Sequence, residues 1–204
     1  MNLALFDFDG TITVEGTWRP FMRFGVRRAR LFAGNVLLAP VIVGYRLGAV
    51  SASRGRQMAV RLGFQGEDAA TVRKLGSEFA TTVINGMLRP HAIERIDWHR
   101  SQGDDVVIVS ASLDVYLGPW CQHRSLEYIC TTLEERDGKL TGRYLHGDCC
   151  GAEKVRRVCQ RYELSRYDVV YACGDSGEDR EMLGLASRKY YRWREISELG
   201  PSPF

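Results

Sequence analysis

The stretch "LALFDFDGTITVEG", residues 3–16, sets two carboxylates, Asp7 and Asp9, directly after an apolar run. Leu3 to Phe8 reads as a strand buried on both faces, closed by a turn at Gly10 and Thr11. Side chains alternate along a strand, so Asp7 and Asp9 point the same way if the extension persists. Like charges held that close raise each other's pKa, and a divalent cation is the usual compensation.

Working outward, three later segments repeat the pattern of the first: "DDVVIVSAS" at 104–112, "LEYICTTL" at 126–133 and "YDVVYACGDSGED" at 167–179, with a weaker one in "RKYYRW" at 188–193. Helical patterns at 91–102, 113–124, 152–162 and 178–186 lie between them. This alternation predicts an α/β fold, a parallel sheet covered on both faces. "ERDGKLTGRY", with Asp137-Gly138 at its turn, adds a β-hairpin. Residues 15–89 differ: they are helix-patterned and rich in Arg and Ala, with Gly25, Gly34, Gly44, Gly48, Gly55, Gly63 and Gly66 as turns. They predict a helical insertion between the first strand and the rest, leaving 1–14 and 90–204 as the α/β core.

The 204 residues suffice for one good core and a small second unit. A net charge of +3 is too mild to argue for nucleic acid. Six cysteines show no CxxC pair, which predicts reduced thiols in a cytoplasmic setting. Acids at positions 7 and 9 interrupt the apolar run that a secretory signal would need. The apolar stretch 31–45, "LFAGNVLLAPVIVGY", would reach only about 22 Å as a helix, short of the ~30 Å hydrocarbon core. With Pro40 inside, it reads as a buried helical hairpin, and interfacial contact with lipid through 19–50 is the alternative.

Ligands of an open parallel sheet bind beyond the carboxyl ends of its strands. Polar residues stand at three such ends: Asp7 with Asp9, Ser110, and Asp175 with Asp179, while Lys154 opens a helix between them. Such an oxygen-rich set suits Mg2+, which leaves room for phosphate oxygens. Taken singly, each residue has a plainer role: Ser110 as a helix cap, Lys154 as a solvated lysine, Asp175 with Asp179 as a charged helix start, Asp7 with Asp9 as a structural metal site. His91, His99, His123 and His146 are not spaced for zinc.

Together, "DFDGT", the strand ending in Ser110, Lys154 and "GDSGED" resemble in order and spacing the four motifs of the haloacid dehalogenase superfamily of phosphohydrolases. The resemblance implies a three-layer Rossmann-like core and a Mg2+-dependent phosphomonoester hydrolase working through an aspartyl-phosphate. It makes Asp7 the nucleophile and Asp9 the general acid and base, with a pKa raised by crowding beside Asp7. The Mg2+ ligands would be Asp7, the carbonyl of Asp9 and Asp175, with Asp179 in support. Ser110 and Lys154 would hold the phosphoryl oxygens, with backbone donors near Gly10, Thr11 and Ala111.

The insertion after the first motif resembles the C1 cap of subfamily IB, and the wider sequence resembles its phosphoserine-phosphatase-like members. Glu15, Arg54 and Arg56 are the nearest equivalents of that group's substrate-binding residues. Motif two, however, reads Ser-Ala-Ser in place of Ser-Gly-Gly, and Trp18 and Phe21 stand where a small polar pocket belongs. The substrate expected is a small soluble phosphate. Arg19, Arg23 and Arg27, spaced i, i+4, i+8 beside the apolar stretch, resemble instead a phosphatidylglycerophosphate phosphatase acting at a membrane surface. A non-catalytic Mg2+-binding module would lack Asp7 or Asp9, and both are present.

Overall fold

Leu3–Phe6 forms strand β1, buried at every residue, with Leu3 and Leu5 toward one side of the sheet and Ala4 and Phe6 toward the other. The computed structural model describes residues 1–199. In chain order the remaining strands are β2 (Asp105–Leu113), β3 (Glu127–Thr131), β4 (Leu133–Arg136), β5 (Lys139–Tyr144), β6 (Val170–Gly174), β7 (Arg188–Tyr191) and β8 (Arg194–Ile196). Six of them make one sheet in the order β3-β2-β1-β6-β7-β8, parallel except for β8. The chain runs outward from β1 to β3 and then returns to β6 on the far side of β1. That reversal is the switch point at which such sheets open a binding crevice.

The helices are α1 (Trp18–Gly25), α2 (Arg28–Arg46), α3 (Ala52–Phe64), α4 (Ala69–Thr82), α5 (Pro90–Ser101), α6 (Asp114–His123), α7 (Ala152–Arg161) and α8 (Arg180–Leu185). Ala92 and Ile96 of α5 and Trp120 of α6 pack with Ala4 and Phe6 on one face; Val158 of α7 and Met182 of α8 pack with Leu3 and Leu5 on the other. The result is the expected three-layer α/β arrangement, because both faces of a parallel sheet must be covered. The hairpin appears as β4–β5, with Asp137 and Gly138 both at positive φ, the backbone that a tight hairpin turn requires.

Of the five helices between β1 and β2, the four of the insertion, α1 to α4, share the core of the sheet and do not form a separate one. Phe21 of α1 lies 4.7 Å from the Tyr116 ring of α6, 5.3 Å from Phe79 of α4 and 5.8 Å from Phe64 of α3. At Gly76 a Cβ would stand 2.0 Å from the Val115 carbonyl oxygen, so α4 meets α6 backbone to backbone.

Within this insertion the structure corrects several expectations. Residues 31–45 are not a buried hairpin: they lie in the single helix α2, which contains Pro40 and has no buried residue. A proline removes one helical hydrogen bond but leaves the neighbouring turns to carry the helix through. Gly34 and Gly44 sit inside α2, and Gly55 and Gly63 inside α3, so they are not turns. Gly63 is small for a packing reason, since its Cβ would crowd Met22 and Val26 at 2.8–2.9 Å. Gly48 and Gly66 do turn the chain, at φ +73° and +78°. Arg19, Arg23 and Arg27 do not share one helical face, because α1 ends at Gly25 and Arg27 precedes α2. No helix among the described residues is long and apolar enough to cross a membrane. All six cysteines are free thiols.

Candidate active site

Strand register assembles the site. Phe6 pairs with Ile108 of β2 and with Cys173 of β6, so the chain leaves all three strands at one level. Asp7 follows β1 directly, its amide donating to the Cys173 carbonyl at 2.9 Å. Ser110 and Asp175 come two residues beyond their partners in that register. β2 continues past Ser110 to Leu113 through an irregularity, so Ser110 and Ala111 lie within a distorted strand and not at its end. Ser110 is 1% exposed and its Oγ accepts from the Ser112 amide at 3.1 Å.

Lys154, in the first turn of α7, is 1% exposed, which excludes a solvated surface role. Its Nζ donates to Asp7 Oδ1 and to Asp179 Oδ1, both at 2.6 Å. Asp179 closes a short 3-10 turn, Gly177–Asp179, and its Oδ2 accepts from the Asp175 amide, the Ser176 amide and the Ser176 hydroxyl. Ligand oxygens of Asp7, Asp175 and Asp179 come within 4.8 Å of one another. Asp175 Oδ1 is buried and has no hydrogen-bond partner among the described residues. Gly10, at φ +81°, makes room here: a Cβ would sit 2.3 Å from Asp175 Oδ2.

The charges do not balance. Three carboxylates face one ammonium, and burial together with the charge of Asp179 lifts the Asp7 carboxyl well above its usual range. Burial and Asp179 likewise push Asp175 up to about 6. Asp179 stays low despite burial, because the Lys154 charge and the bonds from Lys154 and Ser176 outweigh it. Lys154 is held protonated for the same reason: burial opposes the charge, and Asp179 and Asp7 overcome it. An all-oxygen donor set with excess negative charge and an unpartnered buried carboxylate oxygen fits Mg2+. With both oxygens of Asp179 already engaged, Asp7 and Asp175 are the carboxylates open to a metal, and Asp179 braces them.

Asp9 follows in the turn after β1 and has hydrogen-bond partners of its own. Its Oδ1 accepts from the Thr17 amide and hydroxyl at 2.6 Å each, and its Oδ2 from the Ser112 hydroxyl at 2.7 Å. Tyr116 OH lies 3.3 Å from the Thr17 hydroxyl. Sequence reasoning missed Thr17 and Tyr116; the signal available for Ser112 was its place where a glycine was expected. The Gly10 amide donates to Thr13 Oγ1 at 3.2 Å, whereas Thr11 Oγ1 is buried without a hydrogen-bond partner among the described residues. Glu15 and Arg54 are exposed, and their side chains make no ion pair among the described residues. Arg56 is engaged, donating to Asp148 at 2.8 and 3.0 Å and to Glu178 at 3.0 Å, so it fastens α3 to the loop that carries Asp175.

The chain matches the haloacid dehalogenase-like hydrolase family over residues 4–184. It belongs to that family. Protein CicA of Caulobacter vibrioides is 31% identical to this haloacid dehalogenase-like hydrolase over 196 residues, 93% of this chain and 85% of CicA. A probable phosphatase of Mycobacterium tuberculosis is 27% identical over 189 residues, 88% of this chain and 64% of that one. Among solved structures, a probable phosphoserine phosphatase from Vibrio cholerae superposes with a TM-score of 0.68 at 18% identity, over 96% of this chain and 62% of that chain. This hydrolase thus has the fold of the phosphoserine-phosphatase-like branch.

Proposed function

We propose that the protein is a Mg2+-dependent phosphomonoesterase that acts through an aspartyl-phosphate on Asp7. The observation that carries this reading is the buried Lys154 bridge between Asp7 and Asp179, next to the unpartnered oxygen of Asp175. Lys154 engages Oδ1 of Asp7 and leaves Oδ2 to attack. The Oδ2–phosphorus bond forms as the bond from phosphorus to the alcohol oxygen breaks. Asp9 gives its proton to that departing oxygen, then takes one from the water that attacks the aspartyl-phosphate, which releases phosphate and restores Asp7. The Ser112 hydroxyl suits both protonation states of Asp9, because it can donate to the carboxylate or turn to accept from the acid. Lys154, Ser110 and Thr11 supply donors to the phosphoryl oxygens. Mg2+ held by Asp7 and Asp175 would relieve the repulsion between the acids and an incoming phosphate dianion.

The substrate proposed is a small phosphomonoester taken between the sheet and the helical insertion, which we read as the cap. Serine specificity gains no support from Arg56, whose guanidinium is already shared by Asp148 and Glu178. A lipid phosphate is the second reading, favoured by the exposed α2. Turnover of amino-acid, sugar and detergent-dispersed lipid phosphates separates them. For the chemistry itself, Asp7→Asn should lower turnover by about 10³-fold or more with the fold intact. Acid-quenched wild type should retain labelled phosphate that hydroxylamine releases, and the variant should retain none. Equal labelling of the variant would overturn the assignment of the nucleophile.

A further inference from the structure

Helix α2 departs from how this chain treats its other apolar segments. Phe32, Val36, Leu37, Ile42, Val43 and Tyr45 are all exposed, Phe32 at 74% and Val36 at 61%. Its inner side is occupied, since Leu31 and Leu38 pack on the core cluster and Val41 reaches Gly55 of α3. The outer side is therefore a face of its own. Arg28 and Arg46, its first and last residues, are 18 positions apart, which is five full turns, so they stand in line about 27 Å apart. Along that line between them come Phe32, Asn35, Ala39 and Ile42, with Val36 and Val43 beside it. The face is an apolar stripe ended by two cations.

The charge around this stripe is one-signed. From Gly16 to Gly66 the sequence holds nine arginines and no Asp or Glu. Arg27 and Arg30 are drawn to Glu67, but Arg19, Arg23, Arg28 and Arg46 have no ion pair or side-chain hydrogen bond among the described residues. We propose that α2 docks flat on an anionic lipid surface, with its outer apolar face at the boundary between headgroups and acyl chains and its arginines on lipid phosphates. A second copy of the chain is the competing occupant, and the charges speak against it. In an antiparallel pair Arg28 would meet Arg46 of the other copy, in a parallel pair Arg28 would meet Arg28, and neither stripe offers an acid. Spanning is excluded by length and hydropathy, which leaves the surface.

The proposal stands on α2 and not on the phosphatase reading, and its test reads the two apart. The full-length chain is sedimented with vesicles of phosphatidylcholine alone and of phosphatidylcholine with phosphatidylglycerol, while hydrolysis of p-nitrophenyl phosphate is followed in parallel. It should pellet only with the anionic vesicles and return to the supernatant as salt is raised. Arg28→Gln with Arg46→Gln should weaken partitioning by about 25-fold, roughly fivefold per charge. Phe32→Ser with Val36→Ser and Val43→Ser should weaken it at least as far, and neither variant should alter hydrolysis of p-nitrophenyl phosphate. A wild-type chain that stays in the supernatant with both vesicles would overturn the proposal. So would a concentration-dependent dimer in sedimentation velocity that the triple serine variant abolishes, which would assign the face to a second copy.

Discussion

Lys154→Met puts the reading of the site under its hardest test, because one substitution leaves two buried carboxylates facing each other. In the wild type, Nζ sits 2.6 Å from both Asp7 and Asp179 in a position 1% exposed. Removing one partner of a buried ion pair costs about 3–5 kcal/mol, since the remaining charge stays desolvated. For a chain of this size ~1 kcal/mol corresponds to about 2–4 °C in Tm, so metal-free Lys154→Met should melt roughly 10 °C lower at neutral pH. The sign with pH follows from the acids. Without the ammonium, both carboxyls have folded pKa values above their unfolded ones, so their ionisation costs stability above those values and the cost fades as pH falls. Scanning calorimetry without metal should therefore show the gap between wild type and variant narrowing from pH 7.5 to pH 5. Turnover should fall about 10²–10³-fold, the loss typical of a donor aimed at transferring charge. A variant that melts with the wild type at neutral pH, or a gap that widens on acidification, would refute the buried-counterion argument.

Asp175 gives a second pH-dependent outcome. Its folded pKa of about 6 lies above the unfolded value of 3.8, so its ionisation costs stability above pH 6 and that cost is gone near pH 4. Metal-free Asp175→Asn should thus be more stable than wild type at pH 7.5, equal to it near pH 4, and should need about tenfold or more Mg2+ for half-maximal activity. Thermal melts across that range and a Mg2+ titration check both halves. For Asp9, the amide of Asp9→Asn can keep its oxygen on the two Thr17 donors and present its NH2 to the Ser112 hydroxyl, so the loop should hold. Its kcat/KM, which reports only steps through phosphoryl transfer, should drop about 10²–10⁴-fold on alkyl phosphates and far less on p-nitrophenyl phosphate, whose phenolate leaves unprotonated. Equal losses on the two would remove Asp9 from the proton-transfer role.

The site was legible where its chemistry is written in charges at strand ends. Asp7, Lys154, Asp175 and Asp179 could be singled out because an acid after an apolar run has few structural uses, and because parallel strands bring such ends together; the fold does gather these side chains. What escaped was pairing across the insertion. Thr17 and Ser112 both bond Asp9, yet Ser112 lies 103 residues away and nothing local joins them. The C-terminal β7–β8 hairpin escaped for a different reason. Its turn places Arg192 and Trp193 at positive φ, where glycine or asparagine is the readable signal. That backbone is held from outside: the Arg192 amide donates to the Gly174 carbonyl, and Trp193 Nε1 donates to the Thr11 carbonyl of the loop after β1. The strained turn thereby braces the loop that carries Asp9, Gly10 and Thr11, a tertiary debt invisible in local sequence. In α2 the sequence signal was present but two-valued. An apolar run between arginines reads the same whether its outer face is packed within the chain or left open, and only the fold, by leaving Phe32, Val36 and Val43 uncovered, separates the two. The segment is thus divided along its length: Leu31 and Leu38 serve the core, and the residues on the other side are apolar without being needed there.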